Sequence, residues 1–347
     1  MAAEYAGGTT EEVAIFTDHD WYSVIGVPSD GLTIAVNIDN KMKEVGNVLV
    51  KDGTLIPECT SLDDKTLVSF HDMRVRRIEK RRLLIALGEF ETTYFAPVVN
   101  FNDVHRTAIL SVDVNCTGKL IVSSSADGSI KIWNSETGEL IKRFEGDNMD
   151  VNKVRFFPSG LVVLSCGEDM SVRVLSAETG LCYRTFHGHT RGVQDIAFIG
   201  VGKDVLSGAK DGTLKIWNCA SSECLHTYHP NQGAVNAIVL NSNESDICGI
   251  AAEEGASLLD IRSADIVSFT SSFYKLDLHA LISRSFVVAF PSDGSVCGYE
   301  KTLKRRSALL CFSGADCDPV YDFSIFDDTY LYTCCRDKVI RKYEIVV

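Results

Sequence analysis

One local pattern returns six times along this chain at nearly constant spacing, and it constrains the fold more than any other feature. A run of small or apolar residues leads to an acid, and alternating residues then end in a bulky one. The six copies read SSSADGSIKIW, SCGEDMSVRVL, SGAKDGTLKIW, IAAEEGASLLD, AFPSDGSVCGY and TCCRDKVIRKY. Their anchor acids are Asp127, Asp169, Asp211, Glu254, Asp293 and Asp337, spaced by 42, 42, 43, 39 and 44 residues. A fixed period of this length marks one supersecondary unit used again and again.

The pattern inside each copy says what that unit is. An Asp-Gly step between alternating apolar stretches marks a tight hairpin, because glycine takes a positive φ without Cβ strain. In GTLKIW, Leu214 and Ile216 share one strand face, opposite Lys215 and Trp217. Each repeat has room for four short antiparallel strands, a sheet too small to bury its own faces, so neighbouring sheets must stack. A period of 40 to 45 residues with four strands per unit is the signature of an all-β WD40 β-propeller. Six repeats are legible; a seventh blade, diverged and lying within the N-terminal 92 residues, is the alternative to a small β-rich cap there.

Two repeats carry more. His105 lies 22 residues before Asp127, and His189 lies 22 before Asp211. Ser123 and Ser207 precede those acids by four, and Trp133 and Trp217 follow by six. The residue types match a catalytic triad, but a catalytic site is not normally duplicated from repeat to repeat. The sets His105, Ser123, Asp127, Trp133 and His189, Ser207, Asp211, Trp217 are therefore read as structural tetrads. Other repeats are degenerate: Leu175, Tyr299 and Tyr343 replace the tryptophan, and Glu254 replaces the aspartate.

The repeats place a propeller at residues 93–347, and YFAPVVNF (94–101) is the natural strand to close the ring on the Asp337 repeat, covering an edge. Residues 1–92 lack the repeat but hold strand-like pieces and a hairpin signal at Asp52-Gly53.

Composition narrows function. The chain has 34 Lys+Arg against 47 Asp+Glu, a net charge of -13, which argues against general binding of a phosphate backbone. One basic run, RVRRIEKRR (74–82), lacks the aromatic interleaving of a single-strand binder and reads first as a solvated face, then as a partner contact or nuclear signal. No apolar run reaches the roughly 18 residues of a membrane span, and the N-terminus lacks a basic leader start, so a cytoplasmic protein, present in the nucleus as well, is expected. Twelve cysteines without a CxxC pair read as small core residues, so neither a metal nor another cofactor is expected. There is no phosphate loop and no HExxH, and an enzyme is not expected.

Several stretches are more specific than the repeat. DVNKVRFFPSGLVVLSCGED (150–169), SSSADGSIKIW (123–133), GADCDPVY (314–321) and YTCCRDKVIRKY (332–343) resemble the proteasomal ATPase-associated factor family. The resemblance covers residues 92–347 and thins from 230 to 310. It implies a seven-bladed propeller that acts as a chaperone in assembly of the 19S regulatory particle of the 26S proteasome. It further implies binding to the C-terminal domain of an ATPase subunit, chiefly the sixth, delayed docking on the 20S core, and a monomer within assembly intermediates.

A propeller shows its loops on two rims, and function usually lives there. The anchor turns and the loops leading into each repeat should share one rim, with Asp147, Asp150, Glu168, Glu253, Asp316 and Asp318 as candidate partner contacts beside Arg191 and Arg336. An acidic rim would select a basic partner surface and speed the encounter. The rival reading is a substrate adaptor or scaffold of a ubiquitin ligase, to which LLDIR (258–262) bears a faint likeness without the tryptophan.

Overall fold

The computed structural model describes residues 13–17, 31–38, 41–51, 54–57, 73–79, 81–87, 90–144, 149–240, 247–269, 278–281, 285–290, 295–300, 310–312 and 320–345. Among the described residues every regular element is a β-strand. The first sheet is an antiparallel meander of β1 (Val13–Thr17), β2 (Gly31–Ile38), β3 (Lys41–Lys51) and β4 (Thr54–Pro57). Lys51 pairs with Thr54, as a hairpin at Asp52-Gly53 requires, although those two residues lie outside the described ones. A second meander follows: β5 (Met73–Glu79), β6 (Arg82–Leu87) and β7 (Phe90–Phe95). Residues 74–79 of the basic run lie in β5, and Arg82 opens β6 opposite Glu79. After β8 (Val99–Phe101) come the repeats.

Unit 1 is β9 (Ile109–Val114), β10 (Leu120–Ser125), β11 (Ile130–Asn134) and β12 (Leu140–Phe144). Unit 2 is β13 (Val151–Phe156), β14 (Val162–Gly167), β15 (Ser171–Ser176) and β16 (Cys182–His187). Unit 3 is β17 (Val193–Ile199), β18 (Asp204–Ala209), β19 (Leu214–Asn218) and β20 (Cys224–Tyr228). Unit 4 is β21 (Val235–Leu240), β22 (Ile247–Ala252), β23 (Gly255–Asp260) and β24 (Ile266–Phe269). Unit 5 is β25 (Leu278–Leu281), β26 (Ser285–Phe290), β27 (Ser295–Glu300) and β28 (Leu310–Phe312). Unit 6 is β29 (Val320–Phe326), β30 (Tyr330–Cys335) and β31 (Ile340–Glu344), with β8 as its fourth strand.

Asp127, Asp169, Asp211, Glu254 and Asp337 all fall in the turn between the second and third strands of their units, while Asp293 lies outside the described residues. The next residue takes a positive φ of 77° at both Gly128 and Gly212. Met170 and Lys338 hold the same left-handed position at 65° and 68°, where a Cβ costs about 1 kcal/mol. Unit 3 shows how both faces of a sheet are covered. In β19, Leu214 and Ile216 pack toward unit 4, while Trp217 packs toward unit 2. Further apolar clusters join units 1 and 2, units 5 and 6, and units 6 and 1.

The closing strand is shorter than the sequence suggests. Pairing with β31 begins with Val98 N–H donating to the Lys342 carbonyl at 2.6 Å and runs through Val99–Phe101. Tyr94 and Phe95 belong instead to β7, which pairs in parallel with β28 of unit 5. Pro97, with no N–H and a fixed φ, separates the two strands. Residues 92 and 93, where the sequence places a domain boundary, both lie inside β7.

The first strands of neighbouring units exchange polar contacts. A side chain on one accepts a backbone N–H from the next: Asp113 from Phe156 at 2.7 Å, Ser111 from Val154 at 3.2 Å, Asp322 from Val112 at 3.2 Å and Asp195 from Ile238 at 2.9 Å. Lys153 occupies the same ladder position in unit 2, but its ammonium can only donate. It is 1% exposed and its ammonium lies 2.9 Å from Asp322 and 3.8 Å from Asp195. Ile196 N–H turns to its own Asp195 carboxylate, at 2.9 Å. Arg155 adds a second cation on Asp322 at 3.0 Å, so units 6 and 2 are tied by a buried charge cluster. Breaking one member of such a pair typically costs about 3–5 kcal/mol.

Candidate partner-binding rim

The anchor turns are held by two different devices. In unit 3, Trp217 donates its indole N–H to Ser207 Oγ at 2.8 Å, and Ser207 meets His189 Nε2 at 2.7 Å. His189 Nδ1 lies 3.0 Å from Asp211. A carboxylate only accepts, so Nδ1 carries the proton and Ser207 donates to Nε2. A hydroxyl joins each set. In unit 3 Thr213 Oγ1 donates to Asp211 at 2.6 Å and lies 3.2 Å from His189 Nδ1, while in unit 1 the hydroxyl stands between ring and acid. His105 Nδ1 donates to Ser129 Oγ at 2.8 Å, and the Ser129 hydroxyl in turn donates a hydrogen bond to Asp127 at 2.5 Å. His105 and Asp127 themselves stand 3.7 Å apart. Burial, with the Lys131 charge beside it, pushes the His105 pKa down to about 4; burial lowers His189 as well, against the pull of Asp211. Both rings are therefore neutral at pH 7. Ser123 and Ser207 are fully buried and already bonded, so neither hydroxyl is open to a substrate.

Units 2 and 6 have no such histidine. There an arginine four residues past the acid does its work: Arg173 Nη2 sits 2.6 Å from Asp169, and Arg341 pairs with Asp337. At the same position units 1 and 3 have lysines directed elsewhere, Lys131 to the Val104 carbonyl and Lys215 to Thr227. Sequence reasoning missed these arginines, although their register within the repeat was the available signal.

The residue before each anchor acid defines the rim. Its backbone N–H donates to the residue just ahead of the first strand: Ala126 to Ala108, Glu168 to Asp150, Lys210 to Gly192 and Glu253 to Ala234, all at 2.9–3.1 Å. Anchor turn and leading loop are thereby latched together, and the side chains at these positions stand on one edge. Asp150, Arg191, Glu253 and Arg336 are exposed there. Glu168 is engaged instead. Its Oε1 accepts from Lys210 at 2.7 Å, Asn152 at 2.9 Å and Gln194 at 3.0 Å. Burial alone would raise its pKa, but these bonds outweigh it and hold the carboxyl below the usual range. Glu168 thus joins units 2 and 3. Asp147, Asp316 and Asp318 lie outside the described residues.

A ring of four-strand units, closed by a strand from ahead of the first and stacked through apolar faces, is a WD40 β-propeller. The WD domain, G-beta repeat family matches residues 97–134, 138–176 and 180–218. The chain is similar to proteasomal ATPase-associated factor 1 of Homo sapiens, 38% identical over 108 residues, 30% of this chain and 26% of that protein. The Gallus gallus protein of the same name is 39% identical over 89 residues, 25% of this chain and 23% of that one. WD repeat-containing protein SL1-17 of Schistosoma mansoni is 46% identical over 54 residues, 16% of this chain and 18% of that protein. The chain thus spans about a quarter or less of the length of the relatives it matches.

Proposed function

We propose that this protein is a non-catalytic assembly factor for the base of the proteasome regulatory particle, acting as a monomer in the cytoplasm and nucleus. Its latched rim would grip the C-terminal domain of an ATPase subunit, the sixth foremost, and hinder docking on the 20S core. The observation that carries this reading is the similarity to proteasomal ATPase-associated factor 1, whose name links it to a proteasomal ATPase. The rim supplies a rigid surface for it, with Asp150 and Glu253 presented outward. Such acids act mainly through encounter rate and partner choice. The adaptor reading draws less support, because Asp260 in LLDIR caps its own turn, accepting from Arg262 N–H at 2.8 Å.

A tagged pulldown resolved on a native gel tests the proposal: free ATPase subunits and base subcomplexes without mature 26S particles are the expected catch. Recovery of ligase subunits, or of no ATPase, overturns it. Combined Asp150→Asn, Glu253→Gln, Asp316→Asn and Asp318→Asn should slow association about tenfold or more at low salt, with the difference shrinking as salt rises. An unchanged rate removes the acidic rim from the mechanism.

A further inference from the structure

The junction of units 1 and 2 repeats that of units 2 and 3 with a shift of 42 residues, and the two differ at one large side chain. At the second junction Trp217 is 1% exposed and lies nearly parallel to Phe186, ring centroids 5.6 Å apart at 9°. Its indole N–H donates to Ser207 Oγ at 2.8 Å. At the first junction Phe144 stands in the place of Phe186 and Ser165 in the place of Ser207, but Leu175 replaces the tryptophan.

Leucine does not fill the indole's space. A cavity of about 140 Å3 opens there, lined by Phe144, Leu175, Ser165, Asp169, Arg173 and Met149 among others. An engineered cavity of about 150 Å3 in another protein binds benzene, so the volume suits an aromatic ring. Ser165 is 3% exposed and lines the cavity, whereas its counterpart Ser207 receives an indole N–H. Met149, 53% exposed, and exposed Asp150 mark the cavity's opening on the rim.

We propose that this cavity is a socket for a tryptophan side chain presented by a partner protein. The ring lies between Phe144 and Leu175, and its N–H donates to Ser165, as Trp217 does to Ser207 one unit on. The socket goes beyond the assembly-factor reading and stands whichever partner the rim binds.

The test uses the full chain and N-acetyl-tryptophanamide, followed by NMR shift titration. Saturable binding is expected, weakened about tenfold or more by Leu175→Trp, which fills the space. Ser165→Ala should weaken it about fivefold, the worth of one neutral hydrogen bond, and leave N-acetyl-phenylalaninamide unaffected. A probe methylated at the indole nitrogen should bind the unaltered protein as weakly as the parent probe binds Ser165→Ala, with no dependence on how a variant folds. Absence of saturable binding to the unaltered protein, or equal binding by it and both variants, overturns the socket.

Discussion

The two junctions flanking unit 2 are built to one plan and finished differently. Phe144 and Phe186, Val151 and Val193, and Val154 and Ile196 occupy matching places in the two cores. The second junction is completed by Trp217, Ser207, His189 and Asp211 in one hydrogen-bonded string. In the first, leucine stands for tryptophan and an arginine holds the acid. The difference separates what the repeat must keep from what it can exchange. Shared apolar positions set how sheets stack, since burial is non-directional. The anchor acid needs one charged or polar donor inside the sheet, and histidine or arginine serves.

The largest effect should come from making the second junction like the first. Trp217→Leu removes a buried ring and leaves Ser207 without its donor, and should cost about 3–4 kcal/mol in chemical denaturation followed by circular dichroism. A cost below about 1 kcal/mol would show that Trp217 does not brace the junction.

Acid should come next, and it should separate the two devices. His105 has a pKa of about 4 in the fold against 6.5 ordinarily, so the unfolded chain binds the proton first. Stability is then complete above about pH 6.5 and falls as pH drops toward about 4, by roughly 2–3 kcal/mol from this group. His189 is shifted in the same direction. Asp211, held down to about 2 by its hydrogen bonds against the opposing effect of burial, adds loss only below the ordinary aspartate range. Amide exchange at Gly128 and Gly212, in histidine-held turns, should accelerate between pH 6.5 and 4.5 beyond any intrinsic change. Met170, in an arginine-held turn, should not follow. Equal behaviour in all three would dissolve the distinction.

The smallest effect sharpens the exchange itself. Arg173→Lys should cost about 1 kcal/mol in thermal unfolding, because a lysine at this position is directed away from the acid in units 1 and 3. Lys215→Arg, where His189 already serves Asp211, should be nearly neutral. Matching costs would mean that position, not the missing histidine, decides the role.

Much of the scaffold was legible. Asp-Gly hairpins and alternating residues are local signals, and five anchor acids fall in the same turn of their units. The rim was legible only in outline. That Glu168 faces Lys210, Asn152 and Gln194 follows from the neighbouring unit's approach, which no local pattern encodes. The attachment of β7 to β28 escaped because a parallel pair between residues 93–95 and 310–312 leaves no spacing to read.

The chain's sequence by itself determined the repeated strands, the turns between them and the tryptophan missing at position 175. Those rest on φ preferences, alternation and side-chain size, which act within a few residues. The tertiary structure alone decided which group satisfies each acid, that Lys153 meets Asp322 across 169 residues of chain, and that a cavity opens beside the leucine. These depend on which faces the closed ring brings together. A buried charge or void is defined by all its neighbours at once, and most of them come from other repeats.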